Sequence, residues 1–330
     1  MDASILNLLQ TALELGLING LTVLALFLSY SMLDVCDLST DGCFTLGAAV
    51  GAAVAIAGHP YLAIAAAMAA GMLSGLITAV LQTKMGVNSL LAGIIVNTGL
   101  YSINIAIMGN SSVLNMNKTV TVFTKMKDLL AGTALAGQFK LVVAAIAVIL
   151  VAVLLGLFLK TKLGLAIRAT GNNPDMVRSS SINPVFTTIV GLCVANAFTG
   201  LSGCLLAQSQ KSVNIDIGSG MVTIALASLL IGAAFLGRRR MGWRIVGMVL
   251  GAFVFRLVYA IALRFDMPAL CSSSSPPSSS SRPFRCRISG RSCPCCAAAL
   301  PPAARARERR GPNAEAFPSD QDLSPRHAGR

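Results

Sequence analysis

The chain has 330 residues, of which 55% are hydrophobic and 12% charged, with a mean hydropathy of +0.72. Soluble domains carry about 25% charged residues, so this composition speaks against a water-soluble enzyme and, through its hydrophobicity, against a disordered chain. The net charge of +13 is split, because residues 1–270 hold 16 Lys+Arg against 9 Asp+Glu and residues 271–330 hold 10 Arg against 4 Asp+Glu; it is therefore not a nucleic-acid footprint, and no nucleic-acid partner is expected.

Apolar runs approaching the roughly 20 residues of a bilayer-crossing helix recur along the chain. The first is Leu15–Leu33, flanked by Asp2 and Glu14 rather than by the basic residues of a signal peptide, and it reads as a retained span. Phe44–Gly58 follows but has only 15 residues. Then come Tyr61–Gln82, Leu90–Gly109 with Asn97 and Asn104 inside it, Leu141–Leu159, Val185–Ala207, Met221–Gly237, and Ile245–Leu263 with Arg256 inside it. The predicted fold class is all-α, a polytopic transmembrane bundle of about eight spans. Gly71-Met-Leu-Ser-Gly75 and Gly247-Met-Val-Leu-Gly251 carry the small-xxx-small spacing that lets helix backbones approach in lipid.

Loop charge sets the orientation. One set of loops carries Lys84, Lys160, Lys162, Arg168, Arg178, Arg238, Arg239, Arg240 and Arg244, opposed by Asp175 alone. That set is assigned to the cytoplasm, which turns residues 110–140 outward and, by parity, the N-terminus outward too.

The short second span follows Asp34-Val-Cys-Asp37-Leu-Ser-Thr40-Asp41-Gly42. Polar backbone at membrane depth persists only inside protein or along a cavity. A broken helix is expected here, with the break at Gly42 and Ser39, Thr40 or Asp41 capping the half-helix; a polar turn at the cytoplasmic surface is the rival reading. Asp41-Gly-Cys-Phe-Thr-Leu-Gly-Ala-Ala49 also echoes Ser219-Gly-Met-Val-Thr-Ile-Ala-Leu-Ala227. The predicted topology sends these two segments across in opposite directions, as an inverted repeat would. The path-lining candidates, chosen for intramembrane polarity, are Asp37, Thr40, Asp41, Gly42, Asn97, Asn104 and Asn196.

In the loop from Lys160 to Pro184, Gly171-Asn172-Asn173-Pro174 reads as a turn. Pro174 suits a first helical position and Asp175 the positive helix end, so a short helix to about Ser181 is expected. It is either a docking element or a solvated basic loop. Arg256 either lines a path or snorkels along its stem, and structural use is favoured. The chain has two His, no His/Glu set at zinc spacing and no Walker A motif, so no metal, cofactor or catalytic residue is predicted.

Three stretches carry a family resemblance. Residues 37–49 look like the "DLTVDGSFTLGAA" signature, Gly164-Leu-Ala-Ile-Arg-Ala-Thr-Gly-Asn-Asn-Pro174 is similar to a cytoplasmic coupling segment, and Arg256-Leu-Val-Tyr-Ala-Ile-Ala-Leu263 matches the approach to a final span. The chain resembles the permease of ABC importers in the branched-chain amino acid and ribose superfamily, nearest to the tryptophan/tyrosine type, over about residues 8–270. The resemblance implies a multi-pass protein of the bacterial inner membrane, with two permease copies, two cytoplasmic ATPases and an external solute-binding protein, and with lipid around it. It makes Arg168, Gly171, Asn172, Asn173, Pro174, Asp175 and Arg178 the ATPase-coupling loop, and it makes an amino acid or similar small solute the cargo. Solute choice would rest mainly on the external protein. An ion-gradient-driven secondary transporter is the alternative.

Residues 271–330 depart from the family. They form a Ser/Pro/Arg/Cys tail of the kind a GC-rich gene yields out of frame, expected to be disordered and to replace the family's final helix. Cys293, Cys295 and Cys296 lie close together there without a His partner, which is a weak metal signal.

Overall fold

A backbone carried into lipid must satisfy its N–H and C=O groups within itself, and this chain does so with helices. The computed structural model describes residues 2–117, 119–129, 138–236 and 241–264. Helix α1 covers Asp2–Leu26 and runs on as a π-helical stretch, Phe27–Met32. Then come α2 (Thr40–Ile56), α3 (Pro60–Thr83), α4 (Ser89–Ile107), strand β1 (Val113–Asn115), α5 (Val122–Leu129) and α6 (Phe139–Lys160). Next are α7 (Lys162–Asn172), α8 (Pro174–Ser179), α9 (Pro184–Gln210), strand β2 (Ser212–Asn214), a 3-10 turn (Ile215–Gly218), α10 (Met221–Leu236) and α11 (Met241–Arg264). Among the described residues, seven helical segments are long and apolar enough to cross a membrane, and Thr40–Ile56 is a shorter apolar helix. The chain is thus a polytopic helical bundle. The expected tail, residues 271–330, lies outside the described residues.

Helices α2, α3 and α9 form the closest-packed part of the bundle. Gly47 of α2 faces the Gly200 backbone of α9, and Gly51 faces Cys204. These equal spacings make α2 and α9 parallel. Gly71 and Gly75 of α3 face the Asn196 and Leu192 carbonyls in reverse order, so α3 is antiparallel to both. Gly251 likewise sits on the Ser228 carbonyl, and the Gly247 carbonyl meets Gly232, pairing α11 with α10. Both small-xxx-small motifs therefore pack helices within the chain. Helices gain no hydrophobic drive from leaving lipid for one another, so this close approach supplies dispersion contacts instead.

Helix α1 is buried from Ile18 to Leu26 and packs antiparallel to α9. Thr22 Oγ1 donates to Ser202 Oγ at 3.0 Å, and Ser202 Oγ donates to the Ile18 carbonyl at 2.8 Å. Its other neighbour is α11. There Asn19 turns its amide oxygen to Arg256, accepting from Nε at 2.8 Å and also from Nη2. The Arg256 guanidinium also stands 5.8 Å from the Tyr259 ring centre. Arg256 thus binds Asn19 of α1 and stands over Tyr259 of its own helix, in keeping with the structural use favoured from the sequence.

At one end of the bundle β1 and β2 pair antiparallel, with Leu114 opposite Val213. This ribbon ties the α4–α5 connection to the α9–α10 connection. Gln208 anchors the neighbouring α5, since its Oε1 accepts from the Val122 N–H at 3.1 Å.

Widening Gly47 should wedge α2 from α9. Gly47→Leu is expected to cost about 1–3 kcal/mol and to lower both the melting temperature and the monodisperse yield in detergent. Gly99→Leu, at an exposed position with nothing within 4 Å of the added carbon, should leave both unchanged.

Candidate functional site

The interruption after the first span is made by side chains rather than by a glycine. Asp34 takes a left-handed backbone conformation (φ 57°), which turns the chain out of the helix. Asp37 then restarts it. Its Oδ1 accepts from the Ser39 N–H at 2.8 Å and from the Ser39 hydroxyl at 2.6 Å, while its carbonyl accepts from Thr40 Oγ1 at 2.9 Å. Its Oδ2 accepts from Asn196 Nδ2 of α9 at 2.9 Å, and Thr78 Oγ1 of α3 donates to Ser39 Oγ at 3.1 Å. Asp37 and Asn196 are 2% and 1% exposed. Polar backbone persists here because it is enclosed by protein.

The break expected at Gly42 lies instead at residues 34–39, and Gly42 is inside the first turn of an uninterrupted α2. Glycine is needed there for space. An added carbon would stand 2.6 Å from Asn97 Oδ1 and 3.2 Å from Leu100.

Asp41 works across the fold. Its Oδ1 accepts from the Val222 N–H at 2.8 Å and its Oδ2 from the Gly220 N–H at 3.1 Å. One helix thus supplies the N-terminal cap of another, 181 residues along the chain. Gly218 packs onto the Asp41 carbonyl and Thr45 Oγ1, closing the same junction. The two segments that echo each other in sequence therefore begin side by side. They also run opposite ways: α2 is parallel to α9, α1 antiparallel to it, and α10 shares the direction of α1 through α11.

A cavity of ≈ 130 Å³ opens at this junction. Its wall includes Asp41, Gly42, Thr45, Asn97, Tyr101, Asn104, Asp216 and Ser219. Asn104 is 1% exposed, and its Nδ2 donates to the Gly42 carbonyl at 3.3 Å. Its Oδ1 is buried with no hydrogen-bond donor among the described residues. An unpaired buried acceptor costs on the order of 1–3 kcal/mol.

Of the seven intramembrane candidates, Asp41, Gly42, Asn97 and Asn104 meet at this cavity. Asp37, Thr40 and Asn196 do not line it; they form the buried knot that restarts α2. Thr45, Tyr101, Asp216 and Ser219 were not among the candidates. The echo of residues 41–49 in 219–227 is the sequence signal that points to Ser219 and its neighbour Asp216.

The loop candidates gather at the other end of the bundle. Gly171 and Asn172 are not in a turn but end α7, whose N-cap Thr161 accepts from the Gly164 N–H at 3.2 Å. The break is narrowed to Asn173. Its Oδ1 accepts from the Asp175 and Met176 N–H groups, each at 3.1 Å, and caps α8 with Pro174 in the first turn. Helix α8 ends at Ser179, and Ser181 turns left-handed (φ 59°), so the helix stops two residues short of the expected Ser181. Arg178 pairs with Asp175 at 3.5 Å on the exposed face. Val177 points inward and is buried, whereas Met176 is 65% exposed. Arg168 is half-buried on α7. Gly171 lies against the Met32 carbonyl, and Thr170 shares a 2.8 Å hydroxyl hydrogen bond with Thr187 of α9.

Loss of the Asp41 carboxylate should uncap α10. Asp41→Ala is expected to lower stability by about 1–3 kcal/mol and to speed hydrogen exchange at the amides of Gly220 and Val222. Asp41→Asn, which keeps one acceptor oxygen, should fall between.

Residues 8–272 match the family described as branched-chain amino acid transport system / permease component. The chain is 32% identical over 254 residues to the tyrosine transport system permease protein of Clostridioides difficile (strain R20291), covering 76% of this chain and 82% of that protein. It is 27% identical over 221 residues to the ribose import permease protein RbsC of Escherichia coli (strain K12), covering 66% of each. A probable branched-chain amino acid transport permease protein LivH of Methanocaldococcus jannaschii is 25% identical over 224 residues, covering 62% of this chain and 67% of that one. No solved structure matches the chain. With a bundle of apolar helices matched along most of its length, the chain is a multi-pass membrane protein belonging to the branched-chain amino acid transport system permease family.

Proposed function

We propose that the chain is the membrane-spanning subunit of an ATP-driven importer in the bacterial inner membrane. Its cargo is an amino acid or a similar small solute handed over by an external binding protein. The observation that carries this reading is α8. It is a six-residue helix capped at its start by Asn173, anchored by the buried Val177, and presenting Met176, Asp175 and Arg178 outward at the basic end of the bundle. A short rigid helix with one apolar anchor below and one large apolar side chain above is suited to sit in a cleft of a soluble partner. That partner is an ATPase subunit, with Arg168, Gly171, Asn172 and Pro174 shaping the base of the contact.

The cavity at the α2–α10 junction is the proposed part of the solute path, with Asp41, Gly42, Asn97 and Asn104 on its wall. Asp37, Thr40 and Asn196 support it from behind. A second copy of the permease completes the pathway, and the apolar outer faces of α3, α4 and α6 that remain exposed meet lipid or that copy. Amino-acid cargo is supported by the names of the tyrosine and branched-chain relatives. The end of the family match at residue 272 supports taking residues 1–270 as the permease domain and the tail as separate from it.

The test is nucleotide dependence. Membranes holding this chain with its co-purified ATPase should take up solute only with ATP, and a cysteine at Met176 should crosslink to that ATPase. Met176→Asp should reduce co-purification of the ATPase several-fold while leaving the melting temperature of the permease unchanged. Uptake driven by a proton or sodium gradient without ATP would overturn the proposal.

A further inference from the structure

We infer that the groove between α3, α5, α6 and α9 is a site for one anionic phospholipid, with an acyl chain lying in the groove and the phosphate held at its mouth by Lys125 and Lys140. Such a site belongs to the lipid-facing side of the bundle and does not depend on the importer reading above.

The groove has a volume of ≈ 310 Å³, and every residue on its wall is apolar. Buried Leu201 and Leu205 of α9 close its back, while Ile146 and Leu150 of α6 are exposed at its rim, so it opens sideways to lipid. On α6 the wall runs from Val143 to Leu154, a length of about 17 Å at 1.5 Å per residue. That is about half of the ~30 Å hydrocarbon core, the depth of one leaflet. A helix of that length is about 10 Å across and fills on the order of 1,000 Å³. The groove therefore takes a single flexible chain rather than a helix from a neighbouring protein.

Charge at one end of the groove selects the lipid. Lys140 stands one turn before Val143 on the same face of α6. Lys125 of α5 adjoins the wall residue Met126, and its Nζ lies 4.9 Å from the ring centre of Tyr61. Tyr61 stands one turn before the wall residue Ile64 on α3 and is exposed, as a tyrosine at headgroup level would be. Gln208 joins the starts of α3 and α5, and α6 begins at this end too, because its other end leads into α7 beside Met32. Residues 110–140 carry four Lys against Asp128 alone. Two ammonium groups at the mouth attract a headgroup with net negative charge and gain little from a zwitterionic one, whose own cation they repel. A second copy of the chain, inserted in the same orientation, would bring like charges to this level.

The test uses the full chain carrying Trp243→Phe, which removes its one tryptophan, and Ile146→Trp as a reporter on the groove rim. The chain is placed in phosphatidylcholine bilayers in which a minor share of the lipid is brominated at mid-chain, either as phosphatidylglycerol or as phosphatidylcholine. The anionic brominated lipid should quench the reporter about fivefold more than the zwitterionic one. Lys125→Gln combined with Lys140→Gln should bring the two to equality and leave the melting temperature unchanged. A control reporter, Ile95→Trp on the exposed face of α4, should show no preference between them. Native mass spectrometry of the unsubstituted chain gives a second reading, since from an equal mixture of the two lipids it should retain phosphatidylglycerol. Equal quenching at Ile146→Trp, quenching by neither lipid, the same preference at Ile95→Trp, or retention of neither lipid in the mass spectrum would overturn the inference.

Discussion

Two carboxylates four residues apart hold together the interrupted region of this bundle. A helix that stops inside a membrane leaves backbone groups without partners, and lipid offers none. Asp37 meets that need locally, by gathering the Ser39 N–H and hydroxyl and the Asn196 amide around the start of α2. Asp41 meets it at a distance, by taking the N–H groups at the start of α10. Remove either and a helix end is left bare in a low-dielectric setting, where an unsatisfied group costs most. The cavity between the two helix starts exists because both ends are satisfied without filling the space between them.

The glycine seam makes this arrangement possible. Backbones of α2, α3 and α9 meet so closely at Gly47, Gly71 and Gly200 that any side chain would strike a carbonyl. That contact fixes the height of α2 against α9. It thereby fixes where Asp37 meets Asn196 and where Asp41 meets α10. Packing and polar geometry are thus one constraint, since a slip of one residue along the seam would break both carboxylate contacts.

Much of this was legible in the sequence. Long uncharged runs announced the spans, because lipid admits few other patterns, and Pro174 with Asp175 announced α8, because both residues suit a helix start. The shortness of the second span and the echo between residues 41–49 and 219–227 pointed to the junction. What stayed hidden depended on tertiary neighbours. Gly42 read as a hinge, but it is small because Asn97 lies against it, a fact no local pattern carries. Asp37 and Asp41 read alike as polar residues in a span, yet one is enclosed in a knot and the other borders a cavity. Helix α7 falls in a stretch that reads as loop, with a turn at Gly171-Asn172-Asn173-Pro174; packing against the first helix overrides the low helix propensity of Gly171 and Asn172. Asp216 lay in a connection, where charge is ordinarily unremarkable.

The seat of Gly171 on the Met32 carbonyl links α7 directly to the end of the first helix. Helix α7 rests directly on the last turn of the first helix, and only Leu33 to Cys36 separate that turn from Asp37. Close packing leaves no slack at this contact. A tilt imposed on α7 and α8 from below would be delivered as a sideways stroke to the root of α2. The cavity wall stands on that root, so a load taken up at α8 would change the width of the chamber between α2 and α10.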